Sequence, residues 1–411
     1  MLARKSVKQR FRPSTQVLSL MEDFRQMTND CIRIGLTLEE NGRPPSMRRL
    51  SLSSYGRLGH YGGYSKYLLT AISKAAGILS ARAKSIKRGF RTKTPYLSKP
   101  MLVSCYGFRI EDRKLVFHID AKRCVPIPLN DNTLKVLSKP GLTIRSFTIT
   151  DNSISLCISK EVSQPTHSEL KGMVGIDRNL RNIAVGNEDT IVFYDIAKAP
   201  EIAEMTRSIG RSFKRSDLRI KRQVESKYGT RRKERVHQII HRVSKKIVRD
   251  AKTSEQAIVF EDITGIRSLY RRGNGQSRNY RSKMNSWPFF EIKRQVEYKA
   301  AWEGVPVVTL TRGETRGTTM DCPRCGERLQ VPIRGDSEHY RQLWCGKCGR
   351  WADRDLIAVL NISRRGRLRF DRSSRQGEAN EAVKGNAEHE GEPLILRVDA
   401  SKSRPRDAIE S

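Results

Sequence analysis

The chain has 411 residues, long enough for two or three domain cores, and sets 79 Lys plus Arg against 44 Asp plus Glu, a formal net charge of +35 that points to a polyanionic partner. No segment approaches the roughly 18 apolar residues of a membrane helix, and the opening MLARKSVKQR lacks the apolar run of a signal peptide, so a soluble, intracellular protein with no membrane partner is expected. Residues 366–411 hold nine basic and nine acidic residues, which assigns the whole basic surplus to residues 1–365.

Residues 7–13 (VKQRFRP) read as a short basic strand ended by Pro13, followed by a helix capped by Ser14 or Thr15 with Val17, Met21, Phe24, Cys31 and Ile34 near helical spacing. Helices continue to about residue 90. Tyr55, Tyr61, Tyr64 and Tyr67 are interleaved there with Arg48, Arg49, Arg57, His60 and Lys66, a mixture that serves either base stacking beside phosphates or plain helix packing. From about Leu102 to Val162 the pattern turns to strands, with a turn at Asp151-Asn152, and predicts a small antiparallel β-domain. Residues 1–13 and 100–168 would then form one β-barrel interrupted by a helical lobe over 14–99. Cys31, Cys105, Cys124 and Cys157 lie singly among mostly apolar neighbours and read as buried, reduced thiols.

Three strands near 173–176, 182–186 and 190–194 open an α/β region, residues 200–254 form a long basic helical stretch, and Ala257 to Phe260 is an apolar strand running into Glu261-Asp262. The long helix carries an apolar stripe of Ile239, Ile240, Val243 and Ile247 within Arg and Lys, which suits a phosphate-facing helix better than a merely solvated one. Arg267 to Lys283, rich in Arg, Gly, Ser and Asn, reads as a mobile basic loop, and Val305 to Leu310 as another buried strand. The sequence past residue 366 loses periodicity and is expected to be a disordered tail.

Two constellations carry chemistry. Cys322-Pro-Arg-Cys325 and Cys345-Gly-Lys-Cys348 are paired knuckles, each followed by a glycine, at the spacing that closes a tetrahedral thiolate shell around one structural Zn²⁺. A closed shell leaves no position for water, so the reaction belongs elsewhere. Asp177 and Glu261 end apolar strands and Asp355 opens a helix; carboxylates so placed can converge where hard divalent cations prefer oxygen, as in two-metal phosphodiester hydrolysis by an RNase H-like nuclease. Asp262 and Asp353 compete for these roles, the latter as a cap of the helix that presents Asp355.

The segments VGIDRNLRNIAVG, AIVFEDITGIR and TTMDCPRCGE…LWCGKCGRWADRDLIAVLNI resemble, in order and spacing, the three RuvC motifs and inserted zinc ribbon of the TnpB (OrfB) family of transposon-encoded proteins, related to compact type V CRISPR effectors. The resemblance covers about residues 5–365. It implies an α/β multidomain chain: a WED-like barrel (1–13 and 100–168), a REC-like lobe (14–99), a RuvC-like nuclease domain (169–365) and a zinc ribbon (318–350) set into it. It further implies an RNA-guided DNA endonuclease of a prokaryotic cytoplasm, found on the nucleoid when bound to DNA. Its partners would be a guide RNA from its own element and target DNA, with catalytic Mg²⁺ at Asp177, Glu261 and Asp355. A guided DNA binder that no longer cuts, and a transposase acting in strand transfer, are the other readings. Two positions depart from the family pattern: Asn179 stands where Gly is frequent, and Ile357 where the last motif usually carries Asn.

Overall fold

A computed structural model describes residues 1–61, 64–163, 165, 169–332, 338–375 and 393–399. The chain divides into two compact units, Leu2–Glu161 and Val162–Ser411, the latter joined by Met1.

The first unit opens with β1 (Leu2–Arg10) and three helices, α1 (Thr15–Thr37), α2 (Met47–Ser54) and α3 (Ser65–Lys87). Ser14 caps α1, its hydroxyl accepting the Val17 N–H. The apolar stripe of α1, including Val17, Met21, Phe24 and Cys31, shares one core with Tyr67, Ala71, Ile72 and Leu79 of α3. Strands β2 (Leu102–Ser104), β3 (Phe108–Glu111), β4 (Lys114–His118) and β5 (Cys124–Pro128) follow. A short helix α4 (Asp131–Leu137) then precedes the hairpin β6 (Thr143–Thr150) and β7 (Ser153–Glu161). The expected barrel is instead two antiparallel sheets, one ordered β1-β7-β6-β2 and one ordered β3-β4-β5. They meet through side chains, with Phe117 and Ile127 of the small sheet and Phe147 and Ile149 of the large one in the same core. Buried Gln9 also spans them, donating to Pro128 O at 2.9 Å and accepting from Asn130 N at 3.1 Å.

Most of the tyrosines resolve as packing. Tyr67 is fully buried and Tyr64 stacks on His118 at 4.5 Å between ring centroids. The Tyr61 hydroxyl donates to Asp30, and Tyr55 alone of the four is exposed. The single cysteines divide: Cys31 is buried, whereas Cys105, in the turn after β2, and Cys124, opening β5, are exposed.

The second unit begins with β8 (Gly172–Arg178), β9 (Asn182–Gly186) and β10 (Thr190–Asp195). The expected long helix is two: α5 (Lys198–Ser212) and the 36-residue α6 (Leu218–Thr253), separated by extended backbone at Phe213. After β11 (Gln256–Phe260) the segment expected to be a loop folds into a 3-10 turn (Ile266–Tyr270) and α7 (Arg278–Ser286). Ser277 caps α7, and Asn285 donates to Tyr270 O, closing the segment on itself. Then come α8 (Phe289–Glu303), β12 (Val307–Thr309), the single turn α9 (Arg312–Thr315), the hairpin β13 (Gln342–Cys345) and β14 (Arg350–Asp353), α10 (Arg354–Arg375) and β15 (Leu394–Asp399). The expectation of a disordered tail fails over two stretches: residues 366–375 continue α10, and β15 pairs in parallel with β10. Residues 376–392 and 400–411 lie outside the described residues. A short, mostly apolar run, Leu394-Ile-Leu-Arg-Val398, is what a sheet edge can recruit.

The main sheet runs β12-β11-β8-β9-β10-β15, with β8 parallel to β11 and antiparallel to β9. Side-chain alternation gives it two faces. Val174, Ile176, Ile258 and Phe260 pack against α6 and α8, while Met173, Ala257 and Val259 turn to the side held by α10. That helix lies very close to the strands. A Cβ at Gly175 would stand 2.4 Å from Val359 O, and one at Gly366 2.4 Å from a Val259 methyl, so both positions require glycine.

Candidate functional site

Strand parity and register place the first two carboxylates. Ile176 pairs with Phe260 in the parallel β8–β11 ladder, so the next residue of each strand, Asp177 and Glu261, emerges at neighbouring strand ends, about 4.8 Å apart in the pairing direction. Both continue the alternation of the face on which α10 lies. The third comes from α10 itself: with Val359 over Gly175, the residue one turn earlier, Asp355, sits toward the strand ends. Asp353 ends β14 and caps the helix, its Oδ1 accepting the N–H groups of Asp355 (2.8 Å) and Leu356 (3.4 Å). Asp262 is spent locally, accepting the Thr264 N–H. The two competitors are therefore occupied with backbone.

The three carboxylates share one electrostatic environment. Asp177 is 8% exposed and Asp355 6%. Burial, and then the nearby charges of Glu261 and Asp355, push Asp177 up to about 8. Burial raises Glu261 and Asp355 as well, against the opposing charges of Arg178 and Arg341 respectively. Three like charges, two of them buried and Glu261 half-buried, with so few counter-charges are a donor set that fits a hard divalent cation. Among the described residues the four cysteines are the group that brings one ligand atom each within 4.8 Å of one another; the acidic group is more open.

Four residues to which the sequence assigned no role complete the site. Asn179 donates from Nδ2 to Asp177 Oδ2 at 2.8 Å and to Asn182 Oδ1 at 3.1 Å, and Asn182 Nδ2 reaches Asp355 Oδ2 at 3.4 Å. Two amides thus link two of the carboxylates across 178 residues of sequence. Arg178 points to the opposite face, where it donates to Glu261 O at 2.9 Å and lies over the Phe260 ring at 5.1 Å. Arg341, just before β13, pairs with Asp355. Its only sequence cue was its place in the approach to the second knuckle.

The knuckles form the second cluster. Gly326 N donates to Cys322 O and Gly349 N to Cys345 O, each at 2.9 Å, and both glycines adopt positive φ (75° and 63°) as the turns require. The Sγ separations are 3.8 Å for Cys322–Cys348 and 3.5 Å for Cys325–Cys345. A tetrahedron with Zn–S of about 2.3 Å has edges of about 3.8 Å, so the four thiols fit such an ion. Ile357 is buried among Leu329, Leu343 and these cysteines, which explains its departure from Asn: the position is apolar core under the ribbon. Asn361, one turn on, holds the ribbon's entry by donating to Thr318 O and Asp321 O.

Residues 289–362 match the Cas12f1-like TNB domain. TnpB-like protein MJ1635 of Methanocaldococcus jannaschii is 23% identical over 359 residues, 84% of this chain and 80% of that one. A candidate RNA-guided DNA endonuclease of Streptomyces pristinaespiralis is 26% identical over 193 residues, 46% of this chain and 44% of its own. The protein in the cryo-EM structure of a Cas12f1–sgRNA–target DNA complex superposes with a TM-score of 0.59 at 12% identity, over 85% of this chain and 83% of that one, a likeness of fold. TnpB-like protein MJ0751 of M. jannaschii is 30% identical over 213 residues, 49% of this chain and 71% of that protein, and with the four-cysteine ribbon and the Cas12f1-like fold this makes the chain a member of the TnpB family.

Proposed function

We propose that this chain is an RNA-guided, Mg²⁺-dependent DNA endonuclease whose cutting centre is Asp177, Glu261 and Asp355. The observation that carries the reading is the pairing of two carboxylates on adjacent parallel strand ends with a third at the start of the helix crossing them. In this reading residues 169–365 are an RNase H-like RuvC domain with a ribbon over 318–350. Residues 1–13 and 100–168 are a WED-like unit and 14–99 a REC-like lobe. The name of the Streptomyces relative and the partners in the Cas12f1 complex support a guide RNA and a target DNA, here with a guide drawn from the chain's own element. A net charge of +35 suits a protein that holds heteroduplex by its backbone and leaves sequence recognition to base pairing.

The chain's own residues do the following. Asp177, Glu261 and Asp355 would hold Mg²⁺, which when bound supplies activation of a water and neutralisation of the leaving oxygen. Asn179 orients Asp177, Asn182 orients Asp355, and Arg178 fixes the strand end that carries Glu261. Arg341 neutralises Asp355 and stands where a guanidinium can meet a scissile phosphate. The ribbon positions Arg341 and covers the start of α10.

The test begins with the RNA that copurifies from cells carrying the native locus. One discrete species from the end of the gene, with a variable 3′ segment, supplies the reagent for cleavage of a matching DNA with Mg²⁺, and Asp177→Ala should abolish cutting while RNA stays bound. Cutting by that variant would overturn the assignment. Joined DNA ends formed without RNA would replace it by strand transfer.

A further inference from the structure

The three carboxylates differ in their partners. Among the described residues, Asp177 and Glu261 have no cationic side chain within ion-pair distance, whereas Asp355 is paired with Arg341. The contact falls on Asp355 Oδ2, the oxygen that also takes the Asn182 amide at 3.4 Å. The pair is lopsided: the Asp355 side chain is buried, while that of Arg341 is 46% exposed. The guanidinium therefore reaches the carboxylate from the solvent side and can withdraw without opening the core.

The backbone that carries Arg341 is pinned. Its carbonyl accepts the Arg354 N–H at 3.1 Å, the Gln342 N–H donates to His339 O at 2.8 Å, and the His339 ring stacks on Trp351 with centroids 4.2 Å apart. Gln342 then opens β13 opposite Asp353. None of these contacts uses the Arg341 side chain, so its base is fixed to the start of α10 while its tip is free to move. Held on Asp355, the guanidinium is a like charge set against any divalent cation on the same carboxylate, at a buried site that water and salt screen little. Arginine stays charged at every working pH, so the conflict ends only when the side chain swings out.

We propose that Arg341 is a built-in competitor of the divalent cation at Asp355: turned inward it keeps cation affinity low, and it turns out to solvent when a cation takes its place. The inference rests on the reading of Asp177, Glu261 and Asp355 as a cation site. Neutralising Asp355 and meeting a phosphate are then successive states of one side chain. A phosphate that holds the outward guanidinium raises cation affinity, and by reciprocity a bound cation strengthens the hold on phosphate.

The experiment uses full-length, zinc-loaded protein freed of nucleic acid at high salt. Mn²⁺ is titrated by electron paramagnetic resonance, and the acidic site is the part of the binding that Asp177→Ala removes. Arg341→Ala should tighten that part about tenfold, as expected where one hydrogen bond to a charged group no longer competes. Arg341→Lys, which keeps the charge, should stay closer to wild type. The sign is decisive, because losing a residue that merely orients Asp355 would weaken binding instead. Equal melting temperatures and zinc contents check the fold of the variants. A second measurement follows the side chain itself. Phenylglyoxal modification, mapped by mass spectrometry, should rise several-fold at Arg341 when Mg²⁺ is added, and stay unchanged at Arg328, which pairs with Asp321 at 3.0 Å elsewhere on the ribbon. In Asp355→Asn, Arg341 should be reactive with or without Mg²⁺. Unchanged or weaker Mn²⁺ binding in Arg341→Ala, or wild-type Arg341 reactivity indifferent to Mg²⁺, overturns the competition and leaves the cation site standing. Mn²⁺ binding that Asp177→Ala does not diminish overturns the cation site itself, and the competition with it.

Discussion

The four-cysteine ribbon and the acidic cluster both gather side chains of one chemistry, but they are assembled in opposite ways. All four thiols fall within residues 322–348, two glycine-turned knuckles bring each pair together, and a two-stranded hairpin with a small apolar core is the rest of the ribbon's framework. So little buried surface suits a framework that an ion completes, as four thiols at this spacing allow. The acidic site draws on residues 177, 261 and 355, held by a parallel ladder and a helix packed on it through glycine contacts. There the fold imposes the geometry at a cost, burying like charges before any cation arrives. Losing the ion should therefore unmake the ribbon, whereas losing a charge should relieve the acidic site.

The largest expected effect is at the ribbon. Structural zinc contributes about 10–16 kcal/mol in small zinc peptides, so chelation, or Cys345→Ser, should unfold residues 318–353 locally. Hydrogen exchange would show those amides losing protection while the unit Leu2–Glu161 keeps its own. With the ribbon gone, Ile357 loses its cover and Arg341 its place beside Asp355, so cleavage should fail too. A ribbon whose amides stay protected without metal would break the comparison at its first term.

Asp177→Asn tests the second term, and its sign is opposite. An aspartate whose folded pKa is raised from 3.8 to about 8 binds its proton in the folded state while the unfolded chain has released it. Wild-type stability therefore falls as pH rises from about 4 to about 8, and the variant should escape that loss. In chelator its melting temperature should match wild type near pH 4 and exceed it by several degrees toward pH 8, at about 2–4 °C per kcal/mol for a domain of this size. Mg²⁺ should narrow the gap by stabilising wild type alone. Cleavage should fall by more than the about 100-fold that loss of an outer hydrogen-bond partner typically costs. Equal melting curves across that range would mean that neither burial nor the neighbouring carboxylates raise Asp177.

The same contrast explains what could be read in the sequence. The knuckles were legible because ligand spacing is a local property, and Ser14 marked a helix start for the same reason. Asp177, Glu261 and Asp355 could be singled out from strand and helix edges, but their mutual placement depends on the β8–β11 register, which only the folded chain supplies. Asn182 and Arg341 gave no sign and Asn179 only a departure from the family pattern without a role, since an amide or guanidinium acquires meaning only from what faces it. The barrel was misread because alternation specifies strands and not which strands pair. The 267–283 segment was misread because a polar composition hid a serine cap and a Tyr270–Tyr280 edge contact, 5.9 Å between ring centroids. Leu394–Asp399 was misread because a strand added at a sheet edge, after a charged stretch, carries little burial signal of its own.

Asn179 offers a smaller effect that sharpens the contrast. Asn179→Gly restores the residue frequent in the family and removes both amide bonds, to Asp177 and to Asn182. Divalent-ion affinity at the acidic site, titrated with Mn²⁺ by electron paramagnetic resonance, should weaken about 10-fold to 100-fold, with zinc content unchanged. Unchanged Mn²⁺ binding would show that the carboxylates are fixed by the backbone alone.

The smallest effect lies behind the sheet, where Lys299 of α8 reaches α6, donating to His241 O at 2.8 Å and to Ser244 Oγ at 2.5 Å. Burial, and then the charge of Lys245, lower Lys299 from 10.5 to about 7. Below about pH 7 the lysine is charged in folded and unfolded chains alike, and the folded state bears the full desolvation cost. Between about 7 and 10.5 the unfolded chain binds a proton that the folded one has released, so stability must climb with pH across that window. His241, lowered by the same burial, titrates below this range and leaves it clear. Lys299→Met should flatten the climb in denaturant midpoints measured from pH 7 to pH 10, and because other groups titrate in both proteins the difference between the two curves isolates the lysine. An unchanged slope would mean that water reaches the ammonium between the helices, and that this long-range contact, unlike the carboxylates at the other face of the sheet, is assembled without an electrostatic cost.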